Sequence, residues 1–469
     1  MAAISPGRPW FAFTWTMVAT LTLGVGHRAA WGQITPKPPG VAANAASRTC
    51  AGECHKEILN HKVMHGPVQS DCGACHVGTG DPKDHKFSYI VPKAELCVRC
   101  HVLPHETSMH QPVKEGKCME CHNPHGSEHA KVLVADPQKD LCMKCHKQDF
   151  SKSKFVHGPV AIGACVVCHK PHSSAQPKLL IQDAKSLCLN CHSEVQAKIT
   201  EGAHMHGALE QGCTGCHSPH ASDHKFQLKQ TSPGLCMTCH KDRFDQITAG
   251  ATVIHGAVTD EGGCSVCHEP HSSKLASLQR GTQPGTCLSC HDKPLKTKEG
   301  TPLTNMALLL KNNTDWHGPI REGACTACHS PHAGKNFRLL AEDYPPQFYA
   351  PFKVDTFKLC FKCHIPDLVL KPSGQGLTQF RNGDKNLHWL HVNQEKGRTC
   401  RACHEVHASQ RPAHIREAVP FGSSGWLLDI NFKKNVDGGS CSPGCHTARS
   451  YGRATPMPVL NPGPTGGSQ

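Results

Sequence analysis

Aromatic residues are scarce in this chain: they make up 5% of 469 residues, with 6 tryptophans and 4 tyrosines. A chain of that length normally buries a large apolar core, and one so poor in aromatics does not build it from side chains alone. Beyond the first 25 residues or so no apolar run approaches the roughly 20 residues of a membrane helix. Acidic residues are in deficit, 37 against 50 lysines and arginines, a balance that by itself would suggest a polyanionic partner. No cysteine stands alone, because all 30 fall into one recurring pattern.

That pattern is a cysteine pair closed by a histidine, and it occurs fifteen times. Thirteen copies read C-x-x-C-H: Cys72 with Cys75, Cys97 with Cys100, Cys118 with Cys121, Cys142 with Cys145, Cys165 with Cys168, Cys188 with Cys191, Cys213 with Cys216, Cys236 with Cys239, Cys264 with Cys267, Cys287 with Cys290, Cys325 with Cys328, Cys360 with Cys363, and Cys400 with Cys403. Two read C-x-x-x-C-H, Cys50 with Cys54 and Cys441 with Cys445. The closing histidines are His55, His76, His101, His122, His146, His169, His192, His217, His240, His268, His291, His329, His364, His404 and His446. C-x-x-C-H is the attachment signature of c-type haem, in which two thioethers hold the macrocycle and the histidine supplies one axial nitrogen. Zinc ribbons and disulfide frameworks do not require a histidine directly after each pair. The chain therefore reads as a carrier of about fifteen covalent haem c groups, with electron transfer as its task.

The N-terminus reads as a secretory leader over residues 1–32: Arg8, an apolar stretch from Trp10 to about Val25, then the small residues of Ala30-Trp31-Gly32. Residues 33–48 follow as a flexible segment. Residues 49–300 hold eleven tightly spaced haem sites, residues 301–449 an expanded region with four, and residues 450–469 a disordered tail. The expected product is exported, periplasmic or associated with the outer membrane or extracellular, with no membrane span of its own. The positive balance does not argue for nucleic acid. Each ferric bis-histidine haem brings two propionates against one positive charge, so the lysines and arginines read as propionate partners.

Two kinds of site alternate. One is introduced by leucine, as in Leu96-Cys97 and Leu187-Cys188; the other usually follows glycine, as in Gly163-Ala164-Cys165 and Gly212-Cys213. Internal repetition at a fixed period marks a modular array of nearest-neighbour units. The glycine-introduced site is framed by a leading histidine, His65, His110, His157, His206, His255, His317 or His391, and by a trailing one three residues after the motif, His125, His172, His220, His271, His332 or His407. The frame H-x-P-V … G-x-C-x-x-C-H-x-P-H resembles the doubled-CXXCH class of multihaem cytochromes c, which includes the decahaem cytochromes of outer-membrane porin–cytochrome conduits. The resemblance covers residues 50–407. It implies redox partner proteins, namely donor and acceptor cytochromes or an outer-membrane porin. The first pair departs from the frame, with Val77-Gly78-Thr79 after His76.

The leading and trailing histidines are the candidates for the sixth iron position. His85, in place of the first pair's missing trailing histidine, and His414, for the C-terminal end, complete the set; His61, His105, His129, His204, His224 and His388 are held in reserve. A trailing histidine lies too close in sequence to reach round to the far face of its own haem, since three extended residues span about 10 Å. It should serve a neighbouring one. The expected fold is a multihaem cytochrome c, mostly irregular, with short α-helices around each haem motif, no substantial β-sheet, and an elongated haem array. A helix is expected near Met306–Leu310. Two other functions fit a chain of this kind: a multihaem reductase with one catalytic haem, for which no C-x-x-C-K motif is present, and a polymerising extracellular haem filament. Intact-mass measurement on chain matured with a haem-attachment system should show fifteen haems; thirteen would mean that the two longer motifs are empty.

Overall fold

The computed structural model describes residues 55–79, 86–421, 426–444 and 446–458. The leader, the flexible segment, Cys50, Cys54, His85, Cys445 and residues 459–469 lie outside the described residues. The chain forms two compact units, residues 1–105 with 109–136, and residues 106–108 with 137–469.

Each motif folds locally. The first cysteine opens a 3-10 turn, as over Cys97–Arg99, Cys165–Val167 and Cys400–Ala402, or lies in a short helix, as Cys188 does in Ala184–Leu189. The histidine N–H then donates back to that cysteine's carbonyl, His101 to Cys97 at 2.9 Å and His169 to Cys165 at 3.0 Å. One turn thus sets both thiols and the imidazole side by side. The leading histidine precedes a second short turn, as over Gly158–Ala161 and Gly318–Arg321, with proline in its first positions. Proline suits that place because its fixed φ matches a helix start and its missing N–H costs nothing there. His157 itself stays extended (φ −65°, ψ 136°).

The glycine before a glycine-introduced site has a steric reason. Gly116, Gly163 and Gly323 have φ of 68°, 70° and 69°. A Cβ on Gly163 would stand 1.5 Å from the Gln138 carbonyl oxygen, and one on Gly116 would stand 2.6 Å from the Ala94 methyl. Each glycine lets its site pack against the backbone that leads into the preceding leucine-introduced site.

Sheet is confined to short antiparallel ribbons, as the sequence led us to expect. Two-residue clasps join distant segments, among them Val63–Met64 with Gly126–Ser127, Phe155–Val156 with Ala221–Ser222, His204–Met205 with Ser272–Ser273, Val253–Ile254 with Ala333–Gly334, and Asp315–Trp316 with Ala408–Ser409. In each, the residues before a leading histidine pair with those after the next repeat's trailing histidine. The one larger sheet joins Lys433–Lys434, Gly438–Cys441 and Arg449–Gly452.

Apolar burial follows the same division. Of the buried hydrophobic residues only Val258 and Ala333 precede Tyr344, and the others, such as Phe357, Val369, Leu428 and Ile430, lie in the expanded C-terminal region. Val419, Leu428 and Ile430 pack there with Phe348, Ile415 and Phe432. The expected helix is present as Met306–Asn312, capped by the Asn305 side chain. The tail requires a correction. Tyr451 and Gly452 belong to a strand, and the Asn382 side-chain oxygen accepts from the backbone N–H groups of Gly452 and Met457 at 3.2 and 2.7 Å. The segment is therefore ordered as far as Met457.

Gly163→Ala should destabilise the haem-loaded protein by more than about 1 kcal/mol, because the left-handed backbone and the Gln138 carbonyl both oppose a side chain. Gly158→Ala, where a Cβ meets nothing within 4 Å, is the control. Denaturant midpoints of the two variants decide it.

Candidate functional site

The motif histidines are held by their Nδ1 atoms. His122, His169, His217, His268, His329 and His404 each donate from Nδ1 to the carbonyl nine residues on, at Lys131, Lys178, Phe226, Ser277, Arg338 and Ala413, over 2.8–3.1 Å. Those six acceptors, and the residue after each, are non-glycine residues at φ between 50° and 61°. Two consecutive left-handed residues are costly. Here they turn two successive carbonyls toward the motif: the second, from Leu179 in one repeat, accepts the N–H of Lys170, the residue after His169, at 2.7 Å. A serine secures the turn. Ser409, 6% exposed, donates to Ile415 O at 2.7 Å and accepts from Arg411 N at 3.0 Å; Ser174, Ser222 and Ser273 make the same donation to Leu180, Leu228 and Gln279.

The leading histidines are fixed in the same way. His65, His157, His206 and His255 direct Nδ1 to the carbonyls of Pro124, Pro219, Pro270 and Pro331 at 2.8–3.0 Å. His317 uses Val406, which stands where the others have proline. Their backbone N–H groups donate to the trailing histidines' carbonyls, as from His157 to His220 at 2.9 Å. A hydrogen bond at Nδ1 sets the tautomer and leaves Nε2 as the ligating nitrogen.

The imidazoles face one another in pairs. Leading histidines meet the leucine-introduced site of their own repeat: His65 with His101, His157 with His192, His206 with His240, His255 with His291, and His317 with His364, at centroid separations of 5.8–6.2 Å. Trailing histidines meet the glycine-introduced site of the preceding repeat: His125 with His76, His220 with His169, His271 with His217, His332 with His268, and His407 with His329, at 6.1–6.3 Å. Interplanar angles run from 5° to 35°. Two imidazoles sharing one metal at about 2 Å from each nitrogen have ring centres about 6 Å apart, so the spacing fits an iron with two axial histidines. Burial lowers the pKa of His125, His220, His271, His291, His329 and His332, which favours the neutral form that a metal accepts. His110, His122, His146 and His172 occupy the corresponding positions of the second and third repeats.

Three expectations about the sixth position are corrected. His76 faces His125, so the next repeat supplies the partner that the first pair's missing trailing histidine was expected to be, and His85 itself lies outside the described residues. His404 is met by His388, at 6.3 Å and 20°, rather than by a histidine from a following repeat. Burial takes His388 down to about 4. His391, three residues along the Leu387–Val392 helix, therefore stands apart from His404. His414 is not presented to a motif. It is the second left-handed residue of its turn, where other repeats have Leu179 or Leu339, and its Nδ1 bonds to the Asp315 carbonyl at 3.1 Å, leaving it edge-on to His317.

The thiols form a sequence of their own. The first cysteine of a leucine-introduced site lies beside the first cysteine of the next glycine-introduced site, near enough for the second thiol to help raise the pKa of the first: Cys97 beside Cys118, Cys188 beside Cys213, Cys236 beside Cys264, Cys287 beside Cys325, and Cys360 beside Cys400. Second cysteines interact within one repeat, as Cys75 with Cys100 and Cys168 with Cys191. In these repeats the attachment points are therefore neighbours in space. The left-handed turn, the serine after H-x-P-H and the role of His388 escaped the reading of the sequence; the recurrent serine and the leucine eleven residues after the motif histidine were the available signal.

A chain with this local architecture is a multihaem c-type cytochrome, a binder of covalent haem c that works in electron transfer. The doubled CXXCH motif model matches residues 65–103, 110–150, 157–197, 206–244, 255–296 and 317–367, each match opening on a leading histidine. The chain belongs to that family. No curated protein matches it.

Ser409→Ala removes a donor and an acceptor from a buried turn. It should lower the stability of the loaded protein by about 1–3 kcal/mol with the haem count unchanged, as read from denaturant midpoints and intact mass.

Proposed function

We propose that this protein is an exported, long-range electron carrier with fifteen bis-histidine haems. The single observation that carries the reading is the uniform facing of imidazoles across 5.8–6.3 Å in eleven pairs. In each pair one member is the histidine of a motif and the other comes from a distant segment. When bound, haem supplies the one-electron chemistry that side chains lack. The residues hold it: two thiols attach, the motif histidine and its partner ligate, and a backbone carbonyl keeps one imidazole of nearly every pair neutral and aimed. The neighbouring thiols, such as Cys188 with Cys213, keep the attachment points of these repeats close, which suits a carrier over distance. The eleven paired sites leave no open position for substrate, which favours a carrier over a reductase. Among the described residues no helix is long and apolar enough to cross a membrane. We place the carrier in the periplasm or at the outer envelope, between donor and acceptor cytochromes or in contact with an outer-membrane porin, in respiratory or extracellular electron transfer.

His220→Ala decides the ligand scheme. It should convert one haem to the high-spin state, and mapping of the affected haem should place it on Cys165 and Cys168, not on Cys213 and Cys216. A fully low-spin spectrum, or a high-spin haem on Cys213 and Cys216, would overturn the pairing.

A further inference from the structure

The motif ending in His446 has one residue more between its cysteines than the regular sites, and it falls after the last match to the doubled motif. The phase of the repeats nevertheless specifies its partner. Leading histidines stand seven to nine residues before the first cysteine of a glycine-introduced site, as His157 does before Cys165 and His255 before Cys264. Each then faces the motif histidine of the following site, His192 and His291 in these two cases. His391 stands nine residues before Cys400. The site that follows Cys400–His404 is the one that ends in His446.

The side chains agree with the phase. The Nδ1 of His391 donates to the Leu387 carbonyl at 2.7 Å, and that of His446 to the Thr447 carbonyl at 2.6 Å. Both rings thus keep Nε2 for a ligand. Cys441 pairs across the sheet with Arg449, and Gly439 with Tyr451. Tyr451 meets Phe380 edge-on at 5.1 Å, and Phe380 lies alongside His391 at 5.7 Å and 29°. A set of rings therefore leads from the Arg449–Gly452 strand, which pairs with the strand that carries Cys441, to His391.

A separate observation points to a ligand. Arg449 Nε is buried and has no hydrogen-bond partner among the described residues. A buried Nε–H without an acceptor is costly unless an anion meets it, and a haem propionate is such an anion.

On the reading of this chain as a bis-histidine cytochrome, we propose that His391 is the sixth ligand of the haem carried by Cys441 and His446, and that Arg449 pairs with its propionate. The Leu387–Val392 helix then serves two haems from one face, His388 for the site of His404 and His391 for the site of His446.

The test uses the full haem-loaded chain and counts high-spin haems by electron paramagnetic resonance and by carbon monoxide uptake. His391→Ala should add one high-spin haem, His388→Ala a different one, the double variant two, and His414→Ala none. In a chain with Cys441 and His446 both replaced by alanine, and one haem lighter by mass, His391→Ala should add no high-spin haem. The assignment is overturned if His391→Ala leaves every haem low-spin, or adds a high-spin haem in the chain that lacks the terminal site. Where the alanine variant does not mature, His391→Met retains a ligand and should raise one midpoint potential, as methionine ligation does; unchanged potentials would count against the assignment. Arg449→Gln should lower the potential of that haem, with Arg449→Lys restoring part of the shift, and an unaltered titration would remove Arg449 from the site. Failure of His388→Ala and His220→Ala as well would indict the bis-histidine reading itself, whereas failure of His391→Ala alone would indict only this site.

Discussion

Everything in this chain is arranged around two imidazoles that must face each other across about 6 Å, one of them in nearly every pair tied back through its Nδ1. Neighbouring residues cannot meet that requirement, because a ring close in sequence approaches from the same side. The partner has to come from elsewhere, and the two-residue clasps bring it. Phe155–Val156 pairs with Ala221–Ser222, and that pairing places His157 and His220 next to each other with one's carbonyl bound to the other's N–H. From there each serves a different motif. The left-handed turns serve the same requirement from the other side. Lys178 and Leu179 take up an unfavourable conformation because their carbonyls must turn inward to His169 and Lys170. Local strain of this kind persists where surrounding contacts over-determine it, and here Ser174 is one of those contacts.

The division of burial follows from that arrangement. Where repeats are tight there is little apolar core, and the side chains that would fill one are largely half-buried or exposed, Val166 and Phe226 among them. Where the spacing opens beyond Tyr344, a conventional core appears around Phe357, Leu428 and Ile430. In the same region the supply of imidazoles changes. His388 comes from a helix capped by Asn386, which is wholly buried and whose amide bonds Leu368 and Lys371. Ordinary packing there does what the clasp does elsewhere.

Much of this was legible in the sequence because haem attachment demands contiguous residues. Cys165 through His169 states its chemistry within five positions, and the alternation of leucine and glycine before the motifs states the repeat. Short turns, minimal sheet and the Met306–Asn312 helix followed from composition and periodicity. What remained illegible was long-range phase. Nothing local to His125 says that it faces His76, forty-nine residues earlier, and the absence of a trailing histidine after His76 reads as a defect until the direction of donation is known. His388 and His391 differ by less than one helical turn, so spacing alone could not separate their duties. His414 was misleading because histidine happens to occupy a turn position that elsewhere holds leucine.

The direction of the histidine exchange has a consequence for how such a chain can change length. Each repeat closes its own leucine-introduced site and lends one imidazole upstream, so every internal repeat gives one and receives one. A whole unit inserted or excised between two others leaves that balance intact, whereas a half unit strands an imidazole or a site. The number of repeats is then a free variable, while their phase is not, and only the last glycine-introduced site needs a donor of its own, which His388 provides.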